Sequence, residues 1–179
     1  RRAVDSLRSP LTPDVRQPQP MFSISFEPQS SSSSRRIAIG TLTIGAFSER
    51  FEAPLHYWSR AAYECHWREA VSRVVRGRKR SALITSMMEP AYANFFEWWP
   101  MWRVGAQVLI QNHLLFTSQF RGDRAFLFPF RHVPPHGRHR RGEPRPSEWR
   151  TSVTSLERFL QLPSRLPNPG VQWTRCARH

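Results

Sequence analysis

Residues 93–102 read ANFFEWWPMW, five aromatic side chains in ten positions. This stretch limits the fold more than any other. That much aromatic surface demands burial, and a β-strand shows its side chains alternately to two faces. With a period of two, Phe96, Trp98 and Trp102 share one face, while Phe95, Trp99 and Met101 share the other with Glu97. Pro100 has no N–H for a ladder, so the strand lies at an edge or carries a bulge there. Residues 103–106 form a turn. QVLIQNHLLF at 107–116 then alternates again, with Val108, Ile110, Leu114 and Phe116 on one side and Gln107, Gln111 and His113 on the other. The two segments make a hairpin. One aromatic face is core. The second is too apolar for plain exposure and is covered by another element or by a partner.

A helix supplies the expected cover for the core face. Ser59 is its N-cap. Tyr63, Trp67, Ala70, Val71 and Val74 follow on one continuous stripe, and Gly77 sits where a C-terminal glycine belongs. The cations Arg73, Arg76, Arg78, Lys79 and Arg80 suit the helix C-terminus, and a solvated helix end is favoured there over phosphate contacts. Strands are expected at 21–27, 37–45 and 47–52, the last two joined across Gly45-Ala46. SALITSM at 81–87 reads as a central strand, 89–92 as a turn and 147–153 as a strand. A short helix at 154–161 carries Leu156, Phe159 and Leu160 on one face. The fold class is α+β: an antiparallel β-sheet packed against one main helix at about 60–76, with a short C-terminal helix at about 154–161. Residues 1–20 and 162–179 read as disordered tails around a single domain at 21–161, and Met21 as a natural start. Residues 121–147 read as a basic loop.

The chain carries a net charge of +14 over 179 residues, a balance that suggests nucleic acid. Residues 21–120 account for only +4 of it, so the segment that looks folded is mildly basic. Two distant cysteines make neither a disulfide framework nor a metal set, and fit a reducing cytoplasm. No apolar run is long enough to span a membrane. No nucleotide-binding, metalloprotease or nucleophile-elbow motif occurs, so no cofactor, no metal site and no catalytic residue is assigned, and the chain is read as a non-enzyme. His132, His136 and His139 lack a second ligand set, and His113 reads as a strand-surface histidine. Glu97 is the oddest acid: amid aromatics it points outward or anchors a basic partner.

The order of MFSISFEP, GTLTIGAFSERFEAPLHYWS, YECHWREAVSRVV, SALITSM, FFEWWPMW, VLIQNHLLF, HVPP and SEWRTSVTSLERFL resembles the immunity proteins of bacterial contact-dependent growth inhibition systems, the CdiI type, over about residues 21–161. The resemblance implies a small cytoplasmic binding protein that blocks the C-terminal toxin domain of a delivered effector, commonly a nuclease. On that reading we expect the toxin contact at Glu89, Glu97, Trp98, Trp99 and Glu148, with the second aromatic face as a tryptophan-rich contact surface. HGRHRRGEPRP at 136–146 departs from the acidic loop the family carries before its SEW-like motif, and a one-base shift of frame would give such a composition. The flanks match nothing in the family and resemble translated neighbouring DNA, as in a degraded or orphan copy. The runner-up is a nucleic-acid-binding domain using the 73–80 and 121–150 arginines with aromatic stacking.

Overall fold

Alternating apolar residues build a small sheet before any helix appears. The computed structural model describes residues 21–28, 36–120, 128–137 and 146–163. Most of both expected tails, at 1–20 and 164–179, and much of the basic loop, at 121–127 and 138–145, lie outside the described residues. Strand β1 (Phe22–Phe26) pairs antiparallel with β2 (Ile37–Ile44), and β2 with β3 (Phe47–Pro54). Gly45 takes φ 63° in the turn between β2 and β3, the left-handed region that a two-residue hairpin requires. Ala38, Gly40, Leu42 and Ile44 are buried, while Ile39, Thr41 and Thr43 between them are less so. Gly40 lies opposite Phe51, whose ring occupies the space a side chain would need: a Cβ at Gly40 would stand 2.3 Å from Phe51 Cζ.

Helix α1 (Arg60–Val75) starts and stops on the residues that its sequence marks. The Ser59 hydroxyl accepts from the Ala62 N–H at 3.2 Å. At the other end Gly77 takes φ 92° and donates to Val74 O, while Arg78 N–H reaches back to Arg73 O. That pair of bonds satisfies two carbonyls that the helix leaves over.

The larger sheet holds β4 (Arg80–Ser86), β5 (Phe95–Val104), β6 (Gln107–Gln111), β7 (His113–Phe116) and β8 (Glu148–Ser152). All its pairs are antiparallel, in the order β4-β5-β6-β8, with β7 following β6 along the same side of β5. Helix α2 (Val153–Gln161) closes the described chain, capped by the Ser152 hydroxyl on Ser155 N–H. The α+β class and both helices therefore agree with the sequence. No helix is long and apolar enough to cross a membrane among the described residues.

Three expectations change. First, β4 is an edge strand, not a central one. It is buried because α1 covers its free edge: Ile84 N–H donates to His66 Nε2 at 3.0 Å, and Trp67 Nε1–H donates to Ile84 O at 2.7 Å. The Tyr63 hydroxyl accepts from Met87 N–H at 2.7 Å and donates to Pro54 O at 3.1 Å, joining the end of β4 to the end of β3. Second, the ring contacts of the helix aromatics run to the small sheet and Trp58, with none to β5 among the described residues. Trp67 meets Phe26 and Phe51, and Tyr63 meets Phe26 and Trp58, with β4 standing between α1 and β5. Third, Pro100 lies in an interior strand. It faces Ala82 on the β4 side, and on the other side the pairing skips Trp99 and Pro100 where β6 gives way to β7. The missing N–H is placed at that gap.

Two outcomes are expected. Gly40→Ala should destabilise the fold by about 1–3 kcal/mol, because the Phe51 ring is itself buried and has no room to yield; the change in denaturant midpoint measures it. Burial holds His66 neutral, with its pKa pushed down to about 3 from 6.5. The unfolded chain therefore takes up this proton first. The contribution of His66 is complete above pH 6.5 and declines as pH falls toward 3, by up to about 1.4 kcal/mol per pH unit. Unfolding curves taken between pH 7 and 4 should show this slope in the native chain and lose that part of it in His66→Gln.

Candidate functional site

The aromatic strand buries both faces against its own chain. On the first face Trp99 is 1% exposed. Its ring centroid lies 6.2 Å from Phe47 of β3 and 5.5 Å from Trp149 of β8, and those two stack on each other at 4.1 Å. Register explains the meeting: Trp149 lies opposite Ile110, and Ile110 opposite Met101, one row away from Trp99 on the same face. Toward the start of β5 this cover stops. Phe95 pairs with Phe116 and Glu97 with Leu114, and both β7 side chains are 48% exposed. The Phe95 and Phe116 rings meet edge to face at 6.4 Å. Glu49 of β3 reaches the same end, where Asn112 Nδ2–H donates to it at 3.3 Å. Burial, and then the nearby Glu97 carboxylate, raise the Glu49 pKa above its ordinary value.

The second face holds Trp98 and Trp102, 4% and 5% exposed. Residues 128–137 lie across it as a strap. Trp102 Nε1–H donates to Pro134 O and an Arg80 N–H to Val133 O, both at 2.8 Å, and Val133 is 1% exposed. A short 3-10 turn at Pro129–Arg131 brings Phe130 beneath the Arg73 guanidinium, 3.4 Å from its ring centre. Beside the strap runs a line of polar groups. His113 Nε2 bonds Gln111 Oε1 at 2.7 Å, Gln111 Nε2 donates to Glu148 at 2.9 Å, and His136 Nε2 bonds the same carboxylate at 2.6 Å. Burial raises the Glu148 pKa, but the bonds from His136 and Gln111 and the charges of His136 and Arg150 outweigh it and hold the group below its ordinary value. The Trp98 indole N–H is buried with no acceptor among the described residues.

The five residues singled out in the sequence do not converge. Glu97 and Trp99 belong to the first face, Trp98 and Glu148 to the second. Glu89 is exposed beyond the end of β4, close enough that its charge adds to burial in raising the Tyr57 pKa. The exposed tryptophan surface is absent, since Phe47 and Trp149 cover Trp99 and the sheet and strap enclose Trp98. Alternation put Leu114 and Phe116 on the correct face but not in the core. The local signal that separates them from Val108 and Ile110 is Asn112, which breaks the strand in two. No group of three or more histidine, cysteine or acidic side chains could hold a metal among the described residues.

Comparison with known proteins adds a family context. Residues 53–159 match the family model described as the CdiI N-terminal domain. An "Immunity protein CdiI" from Enterobacter cloacae subsp. cloacae is 28% identical over 82 residues, 46% of this chain and 57% of that protein. The chain thus spans just over half the length of that relative. A chain of the CdiA-CT/CdiI toxin and immunity complex from Enterobacter cloacae shares the fold with a TM-score of 0.68 and 24% identity, over 79% of this chain and 97% of its own.

Glu148→Gln keeps the shape of the polar line and removes its charge. At pH 7 it should cost about 1 kcal/mol or less, because the carboxylate is partly solvated. A carboxylate with a lowered folded pKa stabilises above its unfolded value of 4.5 and loses that contribution as pH falls through the folded value. Unfolding free energies of the two proteins should therefore converge below pH 4.

Proposed function

We propose that this chain, which belongs to the CdiI N-terminal domain family, is an immunity protein that binds and neutralises the C-terminal toxin domain of a contact-dependent growth inhibition effector. The observation carrying this reading is the reach of the family match. Residues 53–159 take in the end of β3, α1, every strand of the larger sheet and nearly all of α2. A relative called an immunity protein and a shared fold with a chain of a toxin and immunity complex support it. The protein acts by occupying the toxin, without catalysis and without a cofactor, in the cytoplasm where a delivered toxin arrives. A nuclease toxin is the partner class that suits exposed acids, because opposite charge steers two proteins together. Glu97 and Glu89 are open enough to meet it. Trp98 and Trp99 serve from beneath, by fixing the backbone that carries Glu97.

A nucleic-acid reading has one observation of its own. Burial, and then the neighbouring charges of Arg78 and Arg131 acting against that of Glu69, hold the Arg73 pKa below its ordinary value, so cations from two elements crowd together. Phosphate binding there would weaken steeply with salt.

The test is protection. Cells expressing the cognate toxin domain should stop growing alone and grow when this chain is co-expressed. The two proteins should co-elute on size exclusion at 0.5 M salt. Continued growth arrest without co-elution would remove the immunity reading, and oligonucleotide binding that vanishes at that salt would install the other.

A further inference from the structure

We infer that the toxin domain docks on the open end of the larger sheet, where Leu114 and Phe116 of β7 stand beside Phe95 and Glu97 of β5 and Glu49 of β3. This rests on the immunity reading above and names the surface that performs it.

Among the described strands β7 pairs only with β5, so its outer edge has no strand neighbour. Soluble proteins usually guard such an edge with lysine, proline or an inward charge. Here the sequence is HLLF, with none of these. Leu114 and Phe116 project to one face, half exposed, and Phe95 continues the apolar surface. A short unguarded edge with two large apolar side chains is an arrangement that a partner completes, by packing on the side chains and by backbone pairing.

Charge decides which partner. Glu97 lies across the ladder from Leu114, and Glu49 is near enough to feel its charge. Neither carboxylate makes an ion pair among the described residues. In a chain with a net charge of +14, an end where two acids stand without an ion pair among the described residues runs against the whole. It fits a cationic surface, as a nuclease presents to its own substrate. It does not fit a second copy of this chain, whose equivalent acids would be brought together. The placement is rigid, because the Phe47, Trp99 and Trp149 rings lock β3, β5 and β8 beneath it. The apolar pair then supplies the desolvated centre of the contact and the acids its approach.

The experiment measures association and dissociation of this full chain on an immobilised, catalytically inactive toxin domain. Phe116→Ser should weaken binding at least tenfold, mainly by faster dissociation. Glu97→Gln, nearly isosteric and safe for folding, should slow association several-fold and flatten its salt dependence. Lys79→Ala, on the basic side of the molecule, should leave both rates unchanged. If the native chain binds while Phe116→Ser and Glu97→Gln bind within twofold of it, this surface is wrong and the immunity reading stands. If the native chain does not bind, both fall. If sedimentation shows the native chain forming dimers that Phe116→Ser abolishes, the surface belongs to a second copy and the inference is overturned.

Discussion

A buried strand edge must find partners for its N–H and C=O groups, and each one left bare costs about 1–3 kcal/mol. The free edge of β4 meets this condition through α1. His66 and Trp67 take the amide and the carbonyl of the same residue, Ile84, and Tyr63 takes the buried amide of Met87 just past the strand. Three consecutive contacts from one helix fix its position along the strand as well as against it. Arg103 fixes it again from β5, donating to the last-turn carbonyls Val74 O and Val75 O at 2.8 Å each. The other surface of Trp67 then receives Phe26 and Phe51, so the small sheet takes its place from the same side chain.

Once the helix and two sheets are locked in this way, the two faces of β5 receive different covers. The first is closed by rings from β3 and β8 and then left open beyond Asn112. The second is closed by an irregular strap that the sheet holds through indole, guanidinium and carboxylate groups. Family membership and this division belong together: the matched segment contains the covered core and the open end alike, whereas β1 and β2 lie before it.

Local periodicity made the elements legible, because the forces that set them are local. Ser59 and Gly77 mark α1 through backbone geometry that few other residues favour, and the alternation of β2 survives intact. What covers an element is a non-local fact. The run SALITSM looks the same whether strands flank it on both sides or a helix seals one. Phe47 and Trp149 each lie about fifty residues from Trp99, and nothing near Trp99 announces them. Leu114 and Phe116 follow the pattern of Val108 and Ile110 but lie past the point where the small sheet ends. The strap was hidden by composition: its Phe128, Phe130 and Val133 have no period and sit among arginines.

One bond described by neither helix nor sheet carries a last consequence. Phe22 N–H, at the first residue of β1, donates to Ser155 Oγ in α2 across 133 residues, and the Phe22 ring meets Phe159 edge to face at 5.4 Å. The opening strand is thus fastened by the closing helix. A nascent chain can pair β1 with β2 and set Phe26 against Trp67 early, but the Phe22 end of the strand has no native seat until α2 emerges, so the closing of that end waits for translation to reach it.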